Sequence, residues 1–174
     1  SYGPGQTVSI ARPGRAAAVD MLQRAASLQL TQQCDQLNVR VINESGHKIP
    51  TGSAEERLVW LHVEVTDAKG KVYHLPVDRK GFAGEEYTIA AKTLAYQDMG
   101  IPLGKPDFPA IERDGVPVGD RIFRLPYLDP QGRMTIMQWN TASQSTDYRI
   151  GPRETKLETY SWAVPADAAP GPMK

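Results

Sequence analysis

A chain of 174 residues is the length of one ordinary domain with room for a real core, and its 20 basic and 20 acidic side chains cancel to a net charge of zero. No run of like charges is present, so composition favours neither nucleic acid nor an anionic membrane surface as a partner, and no apolar stretch approaches the roughly 20 residues that span a bilayer. The single cysteine, Cys34, excludes an intrachain disulfide and is compatible with cytoplasm or periplasm alike. No signal peptide opens at Ser1, where a mature or truncated start is expected.

Residues 1–13, with Gly3, Pro4, Gly5 and Pro13, read as an extended lead-in. From Gly14 to Leu28 the period becomes helical, because Ala18, Leu22, Ala25 and Leu28, with Met21 beside them, recur at spacings of three and four. Beyond residue 34 the period falls to two. Leu37, Val39 and Val41 alternate with Asn38 and Arg40, and Val59, Leu61, Val63 and Val65 take one face of a second strand opposite Leu58, Trp60, His62 and Glu64. The turn Asp67-Ala68-Lys69-Gly70 joins that strand to residues 71–75, and Asp129-Pro130-Gln131-Gly132 joins residues 121–125 to 133–139. A last strand runs over residues 157–164. Residues 76–120, carrying Pro76, Pro102, Pro106, Pro109 and Pro117, are expected to form a long irregular excursion. The expected fold is all-β: an immunoglobulin-like antiparallel sandwich over residues 35–174, preceded by the lead-in and amphipathic helix of residues 1–34. The ending Ala169-Pro170-Gly171-Pro172 reads as a turn toward a missing final strand.

Most reaction centres find no support. Close pairs of cysteine or histidine at zinc spacing are absent, and Cys34 precedes His47, His62 and His74, the reverse of the order a blue-copper site needs. His62 and His74 flank one turn, and their simplest reading is a partly exposed cross-strand pair rather than a shared metal. No Gly-x-Ser-x-Gly elbow or glycine-rich phosphate loop occurs. Glu55 and Glu56 are adjacent, so on an extended chain they point opposite ways, with Arg57 as a neutralising neighbour. Trp60, Trp139, Tyr160 and Trp162 at strand spacing read as core or inter-sheet packing, with a carbohydrate platform as the rival.

The loop Gly46-His47-Lys48-Ile49-Pro50-Thr51-Gly52 stands apart. Proline fixes its own φ and glycine opens angles closed to other residues, so the loop can hold an imidazole in one orientation. His47 is then either an exposed or backbone-bonded loop histidine, or a single ligand to a metal whose other ligands lie elsewhere. Haem iron is the natural case of the second kind, because the porphyrin supplies four nitrogens and the protein adds only one or two axial ligands.

Residues 39–52, Val-Arg-Val-Ile-Asn-Glu-Ser-Gly-His-Lys-Ile-Pro-Thr-Gly, resemble a segment of the C-terminal β-domain found in many bacterial multihaem c-type cytochromes. The likeness continues upstream through Ala25-Ala26-Ser27-Leu28-Gln29-Leu30, similar to the end of that family's helix, and downstream through residues 57–63 and 67–70. Residues 147–155, Asp-Tyr-Arg-Ile-Gly-Pro-Arg-Glu-Thr, resemble the family's closing pattern. The match spans roughly residues 15–75 and 145–165, leaving the middle unmatched.

The resemblance implies a periplasmic or extracellular accessory role in electron transfer, not catalysis, with His47 as an axial ligand and Gly46, Pro50, Thr51 and Gly52 fixing its loop. One departure limits what carries over. The Cys-x-x-Cys-His attachment motif is absent, so no c-type haem is held covalently here by two thioethers. The haem c comes from a partner chain or an upstream segment, and the chain is either the C-terminal fragment of a longer cytochrome or a separate subunit. The middle segment is expected to cover that haem-bearing partner or another subunit. A metal-free sandwich module for binding or assembly is the alternative.

Overall fold

The structure, a computed structural model, describes residues 14–76, 84, 95–96 and 116–174. Among these residues strand dominates, with one short α-helix and four small antiparallel sheets. The lead-in of residues 1–13 and most of the irregular excursion expected over 76–120 lie outside the described residues.

Helix α1, Arg15–Gln23, buries none of its residues, and Val19, Met21 and Leu22 are exposed. It stops five residues before the helix expected from the Ala18, Leu22, Ala25 and Leu28 stripe. The next segment is strand β1, Ala26–Gln33, paired antiparallel along its whole length with β2, Gln36–Asn43. The run upstream of β2 is therefore strand where the family likeness implied helix. The physical reason is visible in its residues: Leu28 and Leu30 alternate with Gln29 and Thr31, which suits a pleat as well as a stripe, and the ladder to β2 decides between them. Gln33 faces Gln36 across the two-residue turn Cys34-Asp35, and Cys34 takes φ 52°, a left-handed value uncommon outside glycine.

The expected second strand is real but divided. Strand β3, Val59–Leu61, pairs with β6, Arg121–Phe123, whereas β4, Val63–Thr66, pairs with β5, Val72–Leu75. His62 stands at the break between the two sheets. Both expected turns form as read. Gly70 N–H donates to the Asp67 carbonyl at 3.0 Å and Gly132 N–H to that of Asp129 at 2.9 Å, with each glycine in the left-handed region. Each aspartate also accepts two later backbone N–H groups on Oδ1, which stitches the turn shut. The second turn joins β7, Tyr127–Leu128, to β8, Met134–Thr135, rather than joining the longer strands expected on its flanks. Strand β9, Ser143–Gln144, completes that sheet on the other side of β7.

The final strand, β10, Thr155–Ser161, pairs antiparallel with β2, giving the order β1-β2-β10. Val39 and Val41 of β2 and Tyr160 of β10 pack with Leu61, Val63, Leu75, Phe123, Tyr148 and Ile150 in one buried cluster. Full burial of each such aliphatic or aromatic side chain contributes about 1.5–3 kcal/mol. At the other end, Thr66 and Lys174 exchange backbone hydrogen bonds of 2.8 and 2.9 Å, so the last residue lies alongside β4. No helix among the described residues is long and apolar enough to cross a membrane.

Candidate functional site

The loop after β2 is held from inside by one side chain. Asn43, the last residue of β2, is fully buried. Its Nδ2 group donates to the carbonyls of His47 at 2.6 Å, Ile150 at 3.0 Å and Gly151 at 2.9 Å. Its Oδ1 accepts from Ser45 N–H at 2.8 Å and lies 2.7 Å from Ser45 Oγ. A primary amide is the side chain that both donates and accepts at one point, which is what a loop doubling back on itself needs. The result fixes the backbone of His47 while its side chain stays exposed, with no hydrogen bond from the imidazole to any described residue. Beyond it Pro50 is buried, after a cis Ile49–Pro50 peptide, and the Thr51 carbonyl accepts from Arg57 at 2.6 Å. Of the two bounding glycines only Gly52 needs to be glycine, with φ at 75° and a Cβ there meeting the Arg57 guanidinium at 3.2 Å; Gly46 has open space.

The two segments that carry the family resemblance, almost a hundred residues apart, meet here. Ile49 and Ile150 exchange backbone hydrogen bonds of 2.9 and 3.0 Å, and Asn43 N–H donates to the Glu154 carbonyl at 3.0 Å. Lys48 Nζ reaches Asp147 Oδ2 at 2.8 Å, and Arg149 grips the same carboxylate with two bonds of 2.8 Å. This fork from Arg149, assisted by Lys48 and opposed by partial burial, holds the Asp147 carboxyl well below the usual carboxylate range.

The sign of its pH dependence follows. Because the folded pKa is lower than the unfolded one, the stabilisation is complete above the unfolded value of about 4 and is lost as pH falls from there toward the folded value. Asp147→Asn is expected to lower stability by about 1 kcal/mol at neutral pH. Urea midpoints of the variant and the parent chain should converge as pH drops below about 4. A gap as wide at pH 3 as at pH 7 would be the wrong outcome.

A second cluster forms where the chain changes sheets. Leu61 pairs with Arg121, so the residues one step beyond, His62 and Asp120, sit opposite each other; Glu64 pairs with His74 across β4 and β5. Strand alternation then brings His62, Glu64 and His74 to one face. Asp120, buried to 1% exposure, has its carboxylate 3.0 Å from His62 Nδ1 and 2.6 Å from His74 Nε2. His62 Nε2 lies 2.9 Å from Glu64 Oε1. The imidazoles stack with centroids 4.7 Å apart. Burial works against charge on His62, but the hydrogen bonds to Glu64 and Asp120 and the charges behind them outweigh it and raise its pKa. The sequence placed the two histidines on flanking strands but had no signal for Asp120, which no motif or short spacing links to either. His62, His74 and Asp120 offer three ligand atoms that all lie within 4.8 Å of one another.

The remaining expectations divide. Tyr160 is buried and Trp162 packs on the core, edge-on to Tyr73, but Trp60 is exposed and Trp139 is 86% exposed on a short 3-10 helix, Gln138–Asn140. A strand was expected there; Thr135 Oγ1 accepts Met137 N–H at 3.0 Å and the chain turns away. Glu55 is buried against the Gln138 side-chain amide, while Glu56 is exposed. Cys34 is a free, exposed thiol at the β1–β2 turn.

No family model, curated protein or solved structure matches the chain.

Proposed function

We propose that this chain is a non-catalytic accessory domain or subunit of a multihaem c-type cytochrome system, periplasmic or extracellular. It offers His47 as an axial ligand to a haem c carried by a partner chain or an upstream segment. One observation carries the reading. The backbone of His47 is locked by a buried asparagine, Asn43, that also grips the second segment resembling the family, while its imidazole is left exposed with no hydrogen bond to a described residue. The free ring leaves an exposed loop histidine as the rival, and the fixed mount is what favours a ligand over it. An exposed ring on a rigid mount fits the one or two axial positions that haem leaves to protein.

The scaffold is read as an immunoglobulin-like sandwich, with the β1-β2-β10 sheet supporting the ligand loop from beneath. The haem supplies the redox couple; the chain supplies an imidazole, a fixed backbone and the charged pair Lys48–Asp147 beside it. With Cys34 as the chain's one thiol, covalent attachment lies elsewhere.

The test uses the assembly containing this chain. His47→Ala is expected to convert the signal of one low-spin haem to high-spin in electron paramagnetic resonance, leaving the other haems unchanged. Haem spectra identical to those of the parent assembly, or an assembly with no Soret absorption, would reject the proposal in favour of a metal-free assembly module.

A further inference from the structure

The geometry points to a second metal site, independent of haem: a divalent first-row transition ion, zinc above all, held by His62 Nδ1, His74 Nε2 and Asp120. Four observations support it. The donor set is two imidazoles and a carboxylate, the ligand types such ions take with an open position left over. The three ligand atoms lie within 4.8 Å of one another, whereas ligands at about 2.0–2.2 Å from one ion stand at most about 4 Å apart, so small side-chain rotations complete the shell. His62 directs its other ring nitrogen to Glu64 Oε1 at 2.9 Å, the carboxylate–histidine pairing that fixes the tautomer and orientation of metal-bound imidazoles. Finally, the side chain of Asp120 is wholly buried while those of His62 and His74 are about a third exposed, giving an anchored anion beneath an entrance from solvent.

Charge closes the argument. A dication facing Asp120 and, one shell out, Glu64 meets two negative charges, so the site is neutral without a third carboxylate. Binding displaces the protons that join the two rings to Asp120. His62 keeps the proton on Nε2, donated to Glu64, and releases the one on Nδ1 to solvent; His74 exchanges its Nε2 proton through solvent for one on Nδ1, so the lone pairs of His62 Nδ1 and His74 Nε2 face the ion. The site lies at the junction of the β3–β6 and β4–β5 sheets, so an ion there ties two sheets together through ligands from three segments.

The experiment is zinc titration of the full chain after removal of metal by chelation, read by calorimetry and by thermal denaturation. One ion per chain is expected, with a rise in Tm that a chelator reverses. Cys34→Ser should leave the stoichiometry at one. Glu64→Gln, which removes only the outer carboxylate, should weaken binding by about 10–100-fold. His62→Gln with His74→Gln should weaken it further and abolish the Tm rise; these partly exposed positions tolerate the change where Asp120→Asn risks misfolding. Cobalt substitution supplies a second readout, since visible ligand-field bands from nitrogen and oxygen ligation should vanish in the double variant. Unchanged zinc affinity in the double variant, or no stoichiometric binding by the parent chain at micromolar zinc, overturns the site.

Discussion

Replacing Glu158 with alanine is expected to cost about 3–5 kcal/mol of folding stability, enough to unfold a marginal domain. Glu158 on β10 and Arg121 on β6 are both fully buried, with Arg121 Nε 3.1 Å from Glu158 Oε1. Tyr96 donates its hydroxyl to Glu158 Oε2 at 2.9 Å. Around the guanidinium stand the rings of Tyr96, Phe123 and Tyr148, with their centroids at 5.2, 5.0 and 5.8 Å. These rings stabilise a cation that has lost its water, but they do not neutralise it. Removing the carboxylate takes the β10 counter-ion from that buried cation. Arginine, unlike lysine or histidine, keeps its charge when buried.

Two further variants sharpen the expectation. Glu158→Gln keeps a partner for the Tyr96 hydroxyl and removes only the charge, so it should lie between the parent and the alanine variant. Replacing Arg121 and Glu158 together with methionine and leucine should lie closer to the parent than the alanine variant does, since neither charge of this pair then remains to be desolvated. Urea denaturation measures all three through the midpoint at constant slope. An alanine variant within about 1 kcal/mol of the parent would mean the pair is not sealed from solvent.

Asn43→Ala carries the second large effect, about 2–4 kcal/mol. Three carbonyls, those of His47, Ile150 and Gly151, lose their shared donor at once, and Ser45 loses its acceptor. Each carbonyl keeps a second donor, His47 from Ser45 Oγ, Ile150 from Ile49 N–H and Gly151 from Glu154 N–H, so the cost is the sum of the lost amide bonds at about 0.5–1.5 kcal/mol each. Asparagine is also hard to replace conservatively. Aspartate would aim a second set of acceptors at the carbonyls, and leucine fills the volume without donating. The functional consequence separates this residue from His47. The variant keeps the imidazole but releases its backbone, so amide exchange should accelerate at Ser45, His47, Ile49 and Ile150 together while β1 keeps its protection. Uniform acceleration across the β1-β2-β10 sheet would instead show that Asn43 supports the whole fold and not the loop.

Much of this arrangement was legible in the residues, for specific reasons. Strand β2 announces itself through Leu37, Val39 and Val41, whose period of two admits no helix, and both Asp-to-Gly turns follow from chemistry local to four residues. The loop of residues 46–52 was legible because proline and glycine act locally. What failed depended on partners distant in sequence. The apolar spacing of Leu22, Ala25 and Leu28 is helical, yet a hairpin to β2 claims residues 26–33, and single-strand periodicity carries no record of that ladder. Likewise, residues 57–65 read as one strand because their alternation is unbroken; the switch of sheets at His62 is set by which strands arrive on either side. That switch creates the His62, His74 and Asp120 cluster. The 58 residues separating His62 from Asp120 make it invisible to any test based on spacing. Asn43 gives no sign of its role, since nothing in its neighbours reveals that residues near 150 return to it.

The central claim concerns one nitrogen atom and one iron atom. An experimental structure of the assembly that contains this chain measures the separation directly. A haem iron is expected about 2 Å from a ring nitrogen of His47, with the loop of residues 46–52 in the conformation that Asn43 holds. A structure in which the His47 ring faces solvent or protein, with every haem iron ligated by other residues, would contradict it.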